Sequence, residues 1–328
     1  MVFNLGSNPS DFSSGDRSDQ ESVKVLILGS GPAGLSAALY AARADLYPVV
    51  LSGMELGGQV SLTFAVENYP GFPDGIGGLD LVDLFRKQAE RFGARIEFDS
   101  ATETDLSQRP FRVKSQNGKL YLAETLIVTT GASALHLNVP GEMEFTGRGV
   151  SYCATCDGWF FKGKEVIVVG GGDSALEEGL FLTRYADSVT IVHRRDQLRA
   201  GPLLSKRAME NPKMNLMLNT VVTEIKGDGT VQSVSLVDKQ SGKEIERRVD
   251  GVFIFIGHSP NTDLFKGQLE MDKRGYLRVD QLMHTSVPGV FAAGEVADPF
   301  FRQVITSAGM GAAAAIQAGH FLDEDSSA

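Results

Sequence analysis

One local pattern occurs twice in this chain of 328 residues, and the duplication restricts the fold more than any other feature. The first copy runs from a buried-strand pattern, Val23-Lys24-Val25-Leu26-Ile27-Leu28, through Gly29-Ser30-Gly31-Pro32-Ala33-Gly34 into the helix-forming run Leu35 to Ala44. The second runs from Glu165-Val166-Ile167-Val168-Val169 through Gly170-Gly171-Gly172-Asp173-Ser174-Ala175 into a helix from Leu176 to Tyr185. Strand, glycine turn and helix in that order open a nucleotide-binding α/β unit. The expectation is therefore two Rossmann-like, three-layer α/β domains.

Each unit also has a closing strand. Thr125 to Thr130 ends at Gly131, and Val252 to Ile256 ends at Gly257. Val290-Phe291-Ala292-Ala293-Gly294 and a helix from Ile305 follow after the second unit has closed. The second domain is thus expected to be inserted into the first: a flexible leader over 1–21, one domain from 22–134 and 262–328, and the other from 135–261. A chain of this length exceeds what a single core usually supports, which agrees with two domains.

With 42% hydrophobic and 22% charged residues the composition is that of an ordinary globular protein. A net charge of −10 repels phosphate backbones and anionic lipid surfaces, so neither nucleic acid nor membrane is an expected partner. No apolar run approaches the ~20 residues that span a bilayer, and the first twenty residues carry no signal-peptide core. A cytoplasmic location is the resulting expectation.

In a glycine turn between strand and helix, missing side chains let the backbone approach a pyrophosphate, toward which amide N–H groups and the helix dipole point. Gly29, Gly31 and Gly34 have this spacing. The acid expected for a ribose hydroxyl some twenty residues on is Glu55, although it lies past the end of its strand. In the second unit that place holds cations: Val189 to Val192 runs into His193-Arg194-Arg195-Asp196-Gln197-Leu198-Arg199. A charge run is ordinarily a solvated rim. Directly after the second strand, however, arginines suit a 2′-phosphate and hence NADPH.

Cys153 and Cys156 are the only cysteines. Two thiols at this spacing close a small redox-active disulfide ring. Half of a zinc site is the rival reading, but there is no second cysteine pair and no nearby histidine, so no metal is expected. Asp157 has two readings of equal weight, a turn residue before Gly158 or an acid that protonates a leaving thiolate.

Taken together, the motifs resemble the low-molecular-weight, bacterial type of thioredoxin reductase from about Val23 to about Phe321. The matching pieces are the two glycine turns, Gly57-Gly58-Gln59, Glu67-Asn68-Tyr69-Pro70-Gly71, the Cys153 segment, His193 to Ala200, and Ile256-Gly257-His258-Ser259-Pro260-Asn261-Thr262. The resemblance implies that the first and last segments bind FAD, that the inserted domain binds NADPH, and that electrons reach thioredoxin through the cysteine pair. FAD would meet Gly29, Gly31, Pro32, Ala33 and Gly34, then Ser52, Gly53, Glu55, Gly58, Gln59 and Asn68. Further contacts would come from Thr130 and Gly131, and from Gly294, Glu295, Arg302, Gln303 and Val304. NADPH would meet Gly170, Gly172, Asp173 and Ser174, the basic stretch His193, Arg194, Arg195 and Arg199, and Ile256 with Gly257.

The family pattern further implies that Cys156 faces the flavin, that Cys153 attacks thioredoxin, and that Asp157 is the acid. It implies an inserted domain that swivels on hinges near Leu135 and Asn261, and a homodimer. Two departures stand out. Glu295 replaces the usual aspartate, so its longer carboxylate must reposition toward the ribityl chain. Gly201-Pro202 interrupts a stretch that is usually helix-forming, although proline is tolerated in a first helical turn.

Three rivals remain in view. A ferredoxin-dependent relative would keep flavin and dithiol but lose the nucleotide motifs, which are intact here; Arg86, Lys87, Arg91 and Arg95 would greet an acidic ferredoxin or simply form a solvated helix face. A flavin-binding, non-catalytic interaction protein would have little need of thiols. The flavoprotein of a peroxide-reducing system usually adds an N-terminal region with its own cysteines.

Overall fold

The computed structural model describes residues 20–53, 56–63 and 66–325. They form two compact units: one holds the described residues of Met1–Ala65, Tyr69–Ser133 and Pro260–Ala328, the other Val66–Asn68 and Ala134–Ser259. Glu55 lies outside the described residues, as does the leader up to residue 19.

The first unit is built on a sheet in the order β3 (Arg95–Glu97), β2 (Val49–Leu51), β1 (Gln20–Leu28), β6 (Leu120–Val128), β5 (Phe111–Ser115), β4 (Ala101–Asp105), with β17 (Val290–Ala292) also on β6. Strands β3, β2, β1, β6 and β17 are mutually parallel, whereas β4, β5 and β6 run antiparallel. β1 begins earlier than its apolar pattern suggests, because Gln20 and Glu21 already pair with Leu120 and Tyr121. The Glu21 carboxylate is held there by Lys119 at 2.6 Å and Arg95 at 2.5 Å.

Alternation along β1 supplies two cores. Val25 and Ile27 pack under the helices with Ala37, Ala38, Ala314 and Ala318, while Leu26 and Leu28 pack with Phe111, Tyr121 and Phe265 on the other face. The helices are α1 (Pro32–Arg43), α2 (Gly78–Arg91) and α6 (Val304–Asp325). α1 starts at Pro32 because a proline fits the first helical position, where its missing N–H is no loss. α1 and α6 approach so closely that a Cβ on Gly311 would lie 2.0 Å from the Ala33 carbonyl oxygen.

In the second unit a parallel sheet, β11 (Met214–Met217), β10 (Ser188–Val192), β9 (Glu165–Val169), β15 (Gly251–Ile254) and β8 (Val150–Ser151), carries α3 (Ala154–Asp157), α4 (Asp173–Leu182) and α5 (Pro202–Glu210). Val166, Val168 and Ile191 face Leu176 and Leu182 on the helix side. Ile167, Val169 and Val192 face Val222, Val234 and Leu236 of an antiparallel sheet, β12 (Thr220–Asp228), β13 (Thr230–Asp238) and β14 (Glu244–Arg248). That sheet is the third layer. Pro202 opens α5, so the Gly201-Pro202 departure is absorbed at a helix start. Short strands β7 (Ala132–Ala134) and β16 (His258–Pro260) mark the places where the chain enters and leaves the long segment Ala134–Ser259 of the second unit. No helix among the described residues is long and apolar enough to cross a membrane.

The α1–α6 contact yields a stability prediction. Gly311→Ala should destabilise by about 1–3 kcal/mol in urea unfolding, because the added methyl meets backbone. Gly309→Ala, on the same helix with nothing within 4 Å, should be neutral or slightly stabilising. Equal effects of the two would contradict the close packing.

Candidate active site

The first glycine turn is a cradle in the strict sense that side chains do not fit it. Gly29 has φ +110°, and a Cβ there would lie 2.4 Å from the Thr129 carbonyl oxygen; a Cβ on Gly34 would lie 1.9 Å from the carbonyl oxygen of Gly29. Gly31 instead faces open space, with no atom within 4 Å of its built Cβ. The turn is thus tight against its own strand and open where an anion would approach the start of α1. Ser30 ties neighbouring loops to it: its hydroxyl donates to the Ser52 carbonyl at 2.8 Å and accepts from the Gly57 N–H at 3.1 Å. Gly58 approaches the Gly31 Cα, and Gln59 donates to the Ala132 carbonyl. Gly53, next to Ser52, has φ +80° with open space around it.

Gly294 brings β17 to the same place, since its built Cβ would lie 2.9 Å from that of Ala33. The following turn is folded by a buried residue that sequence reasoning passed over. Asp298 accepts from the amides of Phe300, Phe301 and Arg302 at 2.9, 3.0 and 3.2 Å. Arg302 has φ +50° as a result of that turn, and α6 begins at Val304 just after Gln303. Burial pushes the Glu295 carboxyl up to about 7, with Arg302 pulling it down and Asp298 pushing it further up. Thr130 and Gly131 are engaged by Asn261, which the sequence motif named without this contact. Asn261 donates its amide to the Thr130 carbonyl at 2.9 Å, its N–H to Gly131 at 3.0 Å, and accepts from the Thr130 hydroxyl at 2.7 Å. Asn68 falls in the second unit, whereas the other described flavin candidates belong to the first.

The second turn repeats the logic. Gly170 has φ +154°, and a Cβ there would lie 2.5 Å from the Phe255 carbonyl oxygen. Gly171 is pressed against the ring of His193, 2.2 Å from Nδ1 to a built Cβ. His193 is buried, its Nε2 has no hydrogen-bond partner, and burial holds its pKa below the usual histidine value, reinforced by Arg199, Arg195 and Arg194. Its side chain therefore underlies the turn, whereas Arg194, Arg195 and Arg199 are exposed. None of these arginines has a carboxylate within 4.0 Å among the described residues, and an Arg199 guanidinium nitrogen lies 4.0 Å from the built Cβ of Gly172. Asp173 accepts from the Gly201 N–H at 2.8 Å, while Ser174 is exposed on the first turn of α4. Ile256 and Gly257 follow β15, and Gly257 accepts from the Leu135 N–H at 2.9 Å.

Both cradles therefore fit a dinucleotide: close strand–helix packing with no room for Cβ, an open glycine facing outward in the first, and unpaired guanidinium groups beside the second.

Cys153 and Cys156 form a disulfide with Cα atoms 5.3 Å apart. The turn is short and internally tied. The Cys156 N–H donates to Cys153 Sγ at 3.2 Å, the Thr155 hydroxyl lies 3.3 Å from the same sulfur, and the Asp157 N–H donates to the Cys153 carbonyl at 3.2 Å. Burial raises the pKa of Asp157 above its usual value, and a hydrogen bond from Ser151 pulls it down. Exposed Trp159 and Phe160 follow.

The model of the pyridine nucleotide-disulphide oxidoreductase family matches residues 23–319. A thioredoxin reductase of Escherichia coli O157:H7 is 49% identical over 310 residues, covering 92% of this chain and 96% of that protein. One of Mycolicibacterium smegmatis is 48% identical over 301 residues, covering 92% and 96%. Among solved structures, the thioredoxin reductase of Streptococcus pyogenes superposes with a TM-score of 0.89 at 41% identity, covering 92% of this chain and 99% of that one.

Glu295 yields a pH prediction for the flavin-stripped protein. A carboxyl raised from 4.5 to about 7 keeps its proton in the folded chain where the unfolded chain has lost it. Its contribution to stability therefore declines as pH rises from 4.5 to about 7. The difference in Tm between Glu295→Gln and the natural chain should grow more positive across that window, measured by thermal melts at stepped pH; a constant difference would contradict the shift.

Proposed function

This chain belongs to the pyridine nucleotide-disulphide oxidoreductase family, and we propose that it is a thioredoxin reductase, with NADPH as donor and the Cys153–Cys156 pair as the relay to oxidised thioredoxin. The observation that carries the proposal is the disulfide itself, closed between the only two cysteines and flanked by a half-buried acid.

Gly29, Gly31 and Gly34, with Gly294 beside them and Arg302 on the turn that follows it, would hold FAD; Gly170, Gly172, Arg194, Arg195 and Arg199 would hold NADPH. When bound, these groups supply two electrons from the nicotinamide, by way of the flavin, to the disulfide. The two cysteines then stand as thiols. The Cys156 N–H and the Thr155 hydroxyl already point at Cys153 Sγ, so negative charge on that sulfur is favoured and Cys153 is the attacking group. Asp157 takes the Cys153 proton, which the burial of its carboxyl helps it to accept.

Cys153 attacks one sulfur of the thioredoxin disulfide, that bond breaks, and the departing thiolate takes the proton from Asp157. Cys156 then attacks Cys153 Sγ, giving its own proton to Asp157 as the enzyme disulfide re-forms. The second thioredoxin thiolate leaves with that proton, so two electrons and two protons have passed to thioredoxin.

No observation favours ferredoxin as donor. Arg86 is engaged by Asp83 and Glu90, Lys87 by Asp83, and Arg95 by Glu21 and Glu97, while Arg91 lies over the Phe92 ring. They read as the solvated side of their unit.

The test uses anaerobic Cys156→Ser protein mixed with NADPH or NADH. NADPH should bleach the flavin absorbance rapidly and NADH far more slowly, while thioredoxin turnover falls to background. Thioredoxin turnover retained in Cys156→Ser would refute the relay, and no bleaching by NADPH would refute the donor.

A further inference from the structure

One buried polar side chain beside the disulfide has no role in the chemistry so far. Ser151 is the last residue of β8, and its main chain is placed by the parallel register of Val150 and Ser151 with Val252 and Phe253. Its hydroxyl accepts from the Cys153 N–H at 3.1 Å and lies 2.5 Å from Asp157 Oδ2 and 3.2 Å from the Cys153 carbonyl oxygen. A hydroxyl has one proton to give, and the shorter, charge-assisted bond to the carboxylate takes it. The Cys153 carbonyl is separately satisfied by the Asp157 N–H.

Ser151 thus connects the sheet to both reacting partners of the four-residue turn. While the disulfide is closed, the sulfur–sulfur bond also holds that turn. Once the bond is reduced, what remains within the turn is local: the Cys156 N–H and the Thr155 hydroxyl on Cys153 Sγ, the Asp157 N–H on the Cys153 carbonyl and the Gly158 N–H on the Ala154 carbonyl; the two bonds of Ser151 tie it to the sheet. The other groups facing the turn do not replace it. Phe181 and Leu182 of α4, with Tyr185 just beyond its end, meet Gly158, and Tyr152, at the next position along, turns its hydroxyl to Glu142 at 2.9 Å. Apart from burial, Ser151 is the one group that acts on the Asp157 carboxyl, and no charged side chain among the described residues contributes.

We propose that Ser151 is a positioning residue of the thiol–disulfide step: its hydroxyl anchors the Asp157 carboxyl and the Cys153 amide to the edge of the sheet, keeping acid and attacking sulfur in one arrangement after the disulfide opens. The inference rests on the reading of Asp157 as the acid. Its chemistry is that of a donor to an ionised carboxylate, so losing the hydroxyl leaves Asp157 holding its proton more tightly and less well aimed.

The experiment takes the dithiothreitol-reduced holoenzyme and follows the Asp157 carboxyl stretch by infrared difference against Asp157→Asn as pH is varied, alongside steady-state thioredoxin reduction. Ser151→Ala should move the protonation midpoint up by about one pH unit. It should also lower kcat about tenfold, with KM for thioredoxin essentially unchanged. Ser151→Thr should restore both, and Ser151→Val, isosteric with threonine but without the hydroxyl, should repeat the alanine result should that variant fold poorly. Natural midpoint and kcat in both Ser151→Ala and Ser151→Val, with Asp157→Asn impaired, would overturn this proposal alone. Full thioredoxin turnover by Asp157→Asn would overturn the acid reading and this proposal with it.

Discussion

The structure depends on the absence of side chains where each nucleotide-binding strand meets its helix. At Gly29 and Gly34 the backbone of the turn and the helix start are so close that a methyl group would overlap carbonyl oxygens at 2.4 and 1.9 Å. Gly170 repeats the contact against Phe255. Overlap of that size cannot relax without moving strand and helix apart, and with them the amides at the start of α1 and α4 that an anionic ligand would need. The same economy recurs between α1 and α6, where Gly311 rests on the Ala33 carbonyl, so the cradle is backed by a helix pair as closely packed as the turn it supports.

The redox centre draws on its sheet in a different way. Its cysteines sit on a turn too short to be rigid alone, and the turn gains its fixity from β8 through Ser151, which reaches the Cys153 amide and the Asp157 carboxyl at once. Tyr152, just past the end of β8, is fixed by a buried carboxylate: Glu142 accepts from the Tyr152 hydroxyl and from the amides of Leu137 and Asn138.

What was legible in the residues was local. Gly29 to Gly34, Gly170 to Ala175 and Cys153 to Asp157 each carry their geometry within a few positions, and the strands entering the two glycine turns end in the apolar runs Val25 to Leu28 and Val166 to Val169. The contacts that were not read act across long sequence separations or come from residues that look ordinary. Asn261 engages Thr130 and Gly131 from across the whole inserted segment, Ser151 is one serine among many, and Asp298 resembles any turn aspartate until its three amide partners are seen. The β12–β14 sheet shows alternation at Val222, Val234 and Leu236, but nothing in that pattern says which face of which neighbour it covers. His193 illustrates the same limit: its spacing places it after the second strand with the arginines, and only the fold shows its ring beneath Gly171 while they stay in solvent.

The central claim is that Cys153 and Cys156 alternate between disulfide and dithiol as electrons pass through the protein. Anaerobic rapid-quench alkylation, read by mass spectrometry of the peptide containing both residues, tests it directly. The account predicts that both sulfurs become alkylated after NADPH is added and that both are protected again once oxidised thioredoxin follows. A peptide that stays unalkylated after NADPH has reduced the flavin, or stays alkylated after thioredoxin is added, would contradict it.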